Sequence, residues 1–273
     1  MPWPVKHRSG RSFPPRELMT AADHTRDALL GGRIHIEQPR KGQRASADAV
    51  MLAAAVPAMA GQQALDLGCG SGVGMLCLAA RVPDLRVDGI ELQPDLVTLC
   101  AGNIYANGMT ERLKVVQGDI RRRVAGIQPN SYDHVFANPP YFDAARHRAS
   151  PHEGRATARS EADEADLAHW VAALLRHARP GGRITLIHRS ERLPDLLAAL
   201  VAKKAGAIRI IPLWSKAGEP AKRVILRAVK DSRAPLRLEP GLVLHRADGS
   251  YFPEVDAMLR AGAAFPGLDD RGC

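Results

Sequence analysis

The chain has 273 residues, of which 45% are hydrophobic, so it can bury a packed core. Its 38 Lys and Arg residues outnumber 29 Asp and Glu residues, and the net charge of +9 favours a polyanionic partner such as nucleic acid. No apolar stretch reaches the roughly 20 residues of a spanning helix, and the basic N-terminus lacks a secretory apolar region, so we predict a cytoplasmic protein with no membrane contact.

The predicted elements define three parts of the chain. Residues 1–45 form a basic arm that ends in a short hairpin, because Gly31 and Gly32 precede the alternating Ile34 and Ile36. From residue 46 to residue 230, short apolar strands alternate with helices, the first of which Ser46 is expected to cap. Residues 231–273 are rich in turns and are expected to be a C-terminal appendage packed on the core.

The strands of the central part predict an α/β fold. They are expected at 64–67, 86–92, 113–119, 132–137, 182–188, 207–214 and 223–230. Strands separated by helices form parallel sheets covered on both faces, whereas the last two strands are joined by a short loop. The pattern therefore predicts a doubly wound, Rossmann-like, seven-stranded and mostly parallel sheet with a C-terminal antiparallel strand pair.

A glycine turn follows the first of these strands. Asp66, Gly68, Gly70 and Gly72 alternate with other residues where the strand meets a helix, so the backbone can approach a ligand closely. The spacing lacks the third glycine of the dinucleotide fingerprint, and no G-K-[ST] follows, which excludes a P-loop. The turn therefore suits a cofactor without pyrophosphate, such as S-adenosylmethionine.

Two carboxylates end the next two strands. Glu91 stands where an acid can accept hydrogen bonds from ribose hydroxyls, and Asp119 stands where an acid or its backbone can read an adenine edge. Either acid alone is typical of a solvated strand end. Their joint position at successive strand ends favours a nucleoside cofactor, because open α/β sheets bind ligands there.

The fourth strand ends in Asn138-Pro139-Pro140-Tyr141. Prolines fix φ and lack an N–H, so this loop is stiff and rich in acceptors. The Asn138 side-chain oxygen and the Pro139 carbonyl can hold both N–H bonds of a planar amine, while Tyr141 stacks on its ring. The alternative interpretation is a strand terminator with a core tyrosine. The four residues together are the predicted catalytic loop.

The motifs "LDLGCGSG", "GIEL", "QGD" and "NPPYF" resemble those of class I S-adenosylmethionine-dependent methyltransferases over about residues 30–230. The resemblance implies that the glycines pack against the methionine part of the cofactor, that Glu91 binds the ribose and that Asp119 binds the adenine. The cofactor-binding residues that it implies are Asp66, Gly68, Gly70, Gly72, Glu91, Leu92, Asp119, Ile120 and Asn138. No metal is expected, because the four cysteines form no C-x-x-C pair and lack nearby histidines.

Among families with N-P-P-Y, the chain is most similar to bacterial adenine-N6 RNA methyltransferases that modify the adenine beside the anticodon of a valine tRNA. The segments "RKGQRASADAVMLA" and "GRITLIHRSERL" also carry this resemblance. It implies methyl transfer to N6 of an adenine in tRNA. The resemblance places Lys41, Arg44 and Asp48 near the substrate entrance. Phe142, next to the catalytic loop, and Arg146 and Arg148, from the basic segment that follows it, are assigned to substrate binding with them.

Two basic stretches and three other functions stay open at this point. The segment 143–165 is expected to be either a disordered lid or a clamp for RNA phosphates that orders on binding. The segment 121–123 is either a solvated face or a phosphate contact. A protein glutamine N5-methyltransferase of release factors also uses N-P-P-Y, although such enzymes usually carry an N-terminal helical domain. A DNA adenine methyltransferase would need a target-recognition domain, and a non-catalytic nucleic-acid-binding protein would not need all of these motifs.

Overall fold

A computed structural model of the chain describes residues 24–40, 45–140 and 167–268. At the N-terminal side, strands β1 (His24–Leu29) and β2 (Ile34–Pro39) pair antiparallel across a 3-10 turn, Leu30–Gly32. Side chains of β2 alternate between buried and more exposed positions, so Ile34 and Ile36 both enter the core. The hairpin is therefore anchored by one apolar face.

The remaining elements follow in chain order. They are α1 (Ala47–Ala55), β3 (Gln63–Leu67), α2 (Val73–Arg81), β4 (Arg86–Glu91), α3 (Pro94–Ala106), β5 (Leu113–Gln117), β6 (Tyr132–Ala137), α4 (167–177 of the described residues), β7 (Ala178–Arg189), α5 (Leu193–Ala202), β8 (Ala205–Lys216), β9 (Arg223–Lys230), β10 (Arg237–Leu238), β11 (Leu242–His245) and α6 (Pro253–Ala261). None of the helices within these ranges combines the length and apolarity that crossing a bilayer requires.

The central sheet has the strand order β10-β8-β9-β7-β6-β3-β4-β5, and β11 also pairs with β8. Strands β3 to β7 run parallel, whereas β9 is antiparallel to both β7 and β8, so the predicted fold class is confirmed. Within the described residues the sheet has nine strands, where the sequence predicted seven. The two extra strands are only two and four residues long, too short to show an alternating pattern.

Two hydrophobic clusters cover the two faces of this sheet. Strand β9 shows the division, because Ile225 belongs to one cluster and its neighbours Val224 and Leu226 belong to the other. The first cluster includes residues of the hairpin, α1, α2, α3 and α6, and the second includes residues of α4 and α5. Because apolar side chains cover both faces of the sheet, polar side chains that bind a ligand are expected at its carboxyl edge.

The start of α1 differs from the expectation. Ser46 occupies the N-cap position with an extended backbone, but its side chain makes no capping hydrogen bond among the described residues. Its carbonyl accepts the N–H of Ala49 at 3.1 Å, so the first turn closes through the backbone. The predicted side-chain cap is therefore wrong, and Ser46 lines a pocket instead.

Candidate active site

The strand register aligns three of the predicted site residues at the carboxyl edge of the sheet. Leu67 of β3 pairs with Ile90 of β4 on one side and with Ala137 of β6 on the other. The residues that follow them in the chain are Gly68, Glu91 and Asn138. Strand order reverses between β3 and β6, and such reversals open a crevice at the carboxyl ends of parallel strands.

Two pockets share a wall in this crevice. The first lies between the start of α1 and the glycine loop, and the second, of about 300 Å³, extends over the ends of β4 and β5. Gly68 and Asn138 line both pockets, so a ligand that spans them passes these two residues. The predicted residues that line at least one pocket are Asp66, Gly68, Gly70, Glu91, Leu92, Asp119, Ile120, Asn138 and Pro140.

The three loop glycines have positive φ and different surroundings. Their φ angles are 66° at Gly68, 58° at Gly70 and 92° at Gly72. An added Cβ would lie 2.6 Å from the Trp170 ring at Gly68 and 2.8 Å from Cys100 Sγ at Gly72, whereas at Gly70 it would meet no atom within 4 Å among the described residues. Packing therefore requires glycine at 68 and 72, and Gly70 presents open space to the pocket.

Glu91 binds the loop directly. Its side chain is buried, with Oε2 accepting the N–H of Gly70 at 2.9 Å and Oε1 accepting the N–H of Gln93 at 2.9 Å. A carboxylate oxygen can accept a second hydrogen bond, so each oxygen keeps capacity for a ribose hydroxyl. This arrangement fits the nucleoside part of S-adenosylmethionine.

Asp66 is the second buried acid of the loop, only 4% exposed. Burial raises the pKa of its carboxyl well above the usual range, the N–H of Met75 opposes that shift by donating a hydrogen bond, and the negative charge of Glu91 adds to it. Because Asp66 lines the first pocket, a bound cation such as the ammonium of the methionine part would favour its ionised form.

Asp119 is already paired. Its carboxylate accepts hydrogen bonds from Arg121 N at 2.9 Å, Arg121 Nε at 3.0 Å and Arg121 Nη2 at 2.9 Å. The side-chain and backbone hydrogen bonds from Arg121 lower the pKa of Asp119 to about 2. Both residues line the second pocket, so one of the three arginines at 121–123 belongs to the pocket wall.

Asn138 is arranged differently from these acids. Its Oδ1 is buried and has no hydrogen-bond partner among the described residues. Pro139 is buried and Pro140 is exposed, and neither can donate a backbone N–H to that oxygen. A buried acceptor without a partner costs about 1–3 kcal/mol, so an unpaired oxygen in a pocket wall is suited to a ligand that donates a hydrogen bond.

Several predicted residues lie outside the described residues, which have gaps at 41–44 and 141–166. They are Lys41, Arg44, Tyr141, Phe142, Arg146 and Arg148, together with the segment 143–165. Asp48 is described, and its Oδ2 accepts a hydrogen bond from Arg223 Nε at 3.0 Å as part of an ion pair. The assignment of Asp48 to substrate binding stays a prediction.

The sequence did not single out several pocket residues. Ala45, Ala49 and Leu96 line the first pocket and Trp170 lines the second, but small or apolar side chains have no chemical signature. Trp170 lies on α4, about 100 residues after the glycine that it contacts, so no local motif connects the two. The described residues contain no group of three acidic, histidine or cysteine side chains that could hold a metal ion.

Comparison with known proteins identifies relatives over most of the chain. The methyltransferase small domain family matches residues 44–153. A protein of Aeromonas hydrophila subsp. hydrophila named tRNA1(Val) (adenine(37)-N6)-methyltransferase is 30% identical over 221 residues, which are 80% of this chain and 89% of the relative. A protein of Tolumonas auensis with the same name is 32% identical over 235 residues, which are 83% of this chain and 92% of the relative.

Solved structures share the fold at lower identity. A predicted O-methyltransferase from Agrobacterium tumefaciens has a TM-score of 0.67 at 23% identity and covers 80% of this chain and 98% of that chain. A methyltransferase from Pyrococcus furiosus has a TM-score of 0.54 at 18% identity, with 73% and 90% covered. At these identities the likeness concerns the fold alone.

The sheet with its reversed strand order and the glycine loop at the reversal define a class I S-adenosylmethionine-dependent methyltransferase, with S-adenosylmethionine as methyl donor. Given the identity and coverage of the relatives, the chain belongs to the tRNA1(Val) (adenine(37)-N6)-methyltransferase family. The family resemblance and the cofactor expected from the sequence are both confirmed.

Proposed function

We propose that this chain transfers a methyl group to N6 of adenine 37 in a tRNA, as the names of its relatives state for them. The observation that carries the chemistry is the buried Oδ1 of Asn138, which has no hydrogen-bond partner among the described residues and belongs to a residue that lines both pockets. S-adenosylmethionine, when bound, supplies an electrophilic methyl group on a sulfonium. The residues of the chain have to bind the adenine and orient its N6 towards this methyl group.

The N6 amine of adenine is a poor nucleophile because its lone pair is delocalised into the ring. Asn138 Oδ1 accepts one of its N–H bonds and the Pro139 carbonyl accepts the other, which orients the nitrogen towards the pocket. Transfer would break the bond between the methyl group and sulfur, with S-adenosylhomocysteine as the leaving group. The amine becomes acidic only as its new bond forms and then loses one proton to water, so two neutral acceptors are sufficient and no strong base is needed. In this proposal the loop accelerates the reaction by positioning and by electrostatic stabilisation.

The glycine loop, Glu91 and Asp119 hold the cofactor in the proposal. Glu91 offers its remaining acceptor capacity to the ribose, and Asp119 with Arg121 bounds the part of the second pocket assigned to the adenine. Leu92, which is 58% exposed, and the half-buried Ile120 provide apolar contacts in the same pocket. Tyr141 is proposed to stack on the target base, and the net charge of +9 favours an RNA partner.

A labelling experiment tests the proposal. The purified chain is incubated with radiolabelled S-adenosylmethionine and, separately, with unmodified valine tRNA, ribosomal RNA, DNA and release factors. We expect label in the tRNA alone, recovered as N6-methyladenosine after nuclease digestion. A transcript with guanine in place of adenine 37 is the matched control and should stay unlabelled.

Each of the other outcomes would indicate a different function for this chain. Label confined to release factors would replace the proposal with glutamine N5 methylation, because a side-chain amide is also a planar nitrogen. Label at another adenine of the tRNA would support N6 methylation but contradict position 37 as the target. RNA retention without any transfer would indicate a binding protein of the same fold.

A further inference from the structure

The hairpin presents one open strand edge to helix α3. Strand β2 pairs with β1 along one side, and on its other side the peptide groups of His35 and Glu37 point away from β1. Two asparagines of the α3 region cover these groups. Asn103 accepts the N–H of Glu37 at 2.7 Å and donates to its carbonyl at 2.9 Å, and Asn107 does the same with His35 at 3.0 Å and 2.7 Å.

Helix and strand geometry explain why two asparagines match two strand residues. Four residues along a helix rise about 6 Å, and two residues along a strand rise about 6.6 Å. Asn103 and Asn107 are four apart, whereas His35 and Glu37 are two apart, so each amide meets one peptide group. A primary amide carries the same donor and acceptor as a peptide group and can extend the edge of a strand.

Asn103 differs from Asn107 in a third contact. Its Nδ2 also donates to the carbonyl of Ser71 at 2.9 Å, within the glycine loop, whereas the Nδ2 of Asn107 donates to the carbonyl of Asn103 at 2.7 Å. Asn103 is 2% exposed and Ser71 is 8% exposed, so water cannot readily replace this bond. One side chain therefore joins the hairpin, α3 and the loop.

The hairpin also holds another residue that lines the first pocket. Gln38 is buried, donates through Nε2 to Asp27 Oδ2 at 2.6 Å and accepts the N–H of Ala45 at 2.6 Å. Ala45 and Ser71 both line the first pocket. Neighbouring residues of β2 thus hold two residues of the pocket lining: Gln38 binds Ala45 directly, and Glu37 binds Asn103, which binds Ser71.

We propose that Asn103 is a positioning residue for the cofactor, which fixes the glycine loop against the hairpin. This inference rests on the proposed function in assigning the loop to S-adenosylmethionine. Glu91 holds the loop at the N–H of Gly70, and Asn103 holds the next residue at the carbonyl of Ser71. Without Asn103 that buried carbonyl loses its partner, and the loop has to shift to regain one.

Paired alanine variants of the full chain test this proposal. Asn103→Ala and Asn107→Ala each remove two hydrogen bonds to the hairpin, but only Asn103→Ala releases the loop. Calorimetric titration with S-adenosylhomocysteine should show a Kd about tenfold higher for Asn103→Ala and within about twofold of the original for Asn107→Ala. In turnover assays, Asn103→Ala should raise KM for S-adenosylmethionine more than it lowers kcat, because the reacting loop at Asn138 is unchanged.

The outcomes separate this proposal from the function on which it rests. Equal Kd values in both variants, or a Kd for Asn103→Ala that matches the unsubstituted chain, would overturn the role of Asn103. An unsubstituted chain that binds no S-adenosylhomocysteine would instead contradict the proposed function itself.

Amide hydrogen exchange in the unsubstituted chain gives a second measurement that does not depend on the folding of any variant. Because coupling between two sites is reciprocal, saturating S-adenosylhomocysteine should slow the exchange of the Glu37 amide by about tenfold. The His35 amide, which Asn107 binds, should change less. Equal exchange at Glu37 with and without ligand would overturn the proposal.

Discussion

The two sides of the crevice differ in whether their polar side chains have hydrogen-bond partners within the chain. At the carboxyl ends of β4 and β5, Glu91 and Asp119 already have hydrogen-bond partners from the chain itself. At the end of β6, Asn138 Oδ1 is buried and has no partner among the described residues. Under the proposed function, Glu91 and Asp119 belong to a cofactor side that is preorganised, and Asn138 belongs to an acceptor side that keeps one hydrogen bond for the incoming amine. This contrast is expected of an enzyme that binds its donor on a fixed surface and orients its acceptor at the reacting atom.

The largest expected effect tests the acceptor side. Asn138→Ala should lower kcat by about 10²–10³-fold, the usual loss when a preorganised hydrogen-bonding group at the reacting atom is removed. The Kd for S-adenosylhomocysteine should stay within about twofold, because the partners of the glycine loop are untouched. Single-turnover assays measure the loss of rate, and calorimetry measures the Kd for S-adenosylhomocysteine. Turnover near that of the unsubstituted chain would remove Asn138 from the mechanism.

The next effect tests the cofactor side. Glu91→Ala removes the acceptor of the Gly70 and Gln93 N–H groups and should raise the Kd for S-adenosylhomocysteine by about 10–100-fold. At saturating cofactor, kcat should fall much less. Glu111→Ala, at an exposed site, is the matched control and should bind normally. A larger effect on kcat than on binding would contradict the division between the two sides.

Asp66 gives a pH-dependent test. Its pKa is raised in the folded chain, mainly by burial, so the folded chain holds a proton that the unfolded chain releases. The free energy of unfolding should therefore fall as pH rises from the ordinary carboxyl range through the raised pKa. Because Asp66→Asn lacks this titration, its stability relative to that of the unsubstituted chain should rise with pH across the same range. Urea unfolding at several pH values measures the difference, and a gap that does not widen with pH would contradict the argument.

The smallest effect is expected at Asp119. Arg121→Ala breaks an ion pair whose arginine side chain is 56% exposed, so the Kd for S-adenosylhomocysteine should change only about two- to threefold. The pKa of Asp119 should rise from about 2 towards the ordinary carboxyl range, because the hydrogen bonds from the Arg121 side chain are lost. Carboxyl titration by NMR follows that shift. An unchanged pKa would show that Arg121 is not the partner that holds the charge on Asp119.

The sequence predicts this site well where chemistry and position coincide. Gly68, Glu91 and Asn138 each follow an apolar strand, and parallel strands bring their carboxyl ends to one edge. Trp170 was missed, and Arg121 was left open between a solvated face and a phosphate contact, because their places in the pocket depend on how distant or exposed segments fold. Asn103 was not predicted as a site residue, since Glu37, its hairpin partner, is 66 residues away in the chain. Strands β10 and β11 were missed because they are too short to show a pattern.

The asparagine pair on α3 also bears on how the chain behaves beside its own copies. An uncovered strand edge is a template for strand addition by another chain and a common start of aggregation. Asn103 and Asn107 occupy the peptide groups of the β2 edge at Glu37 and His35, with side-chain amides in place of a neighbouring strand. The same contacts that steady the cofactor loop thereby keep the hairpin from recruiting a strand of a second molecule.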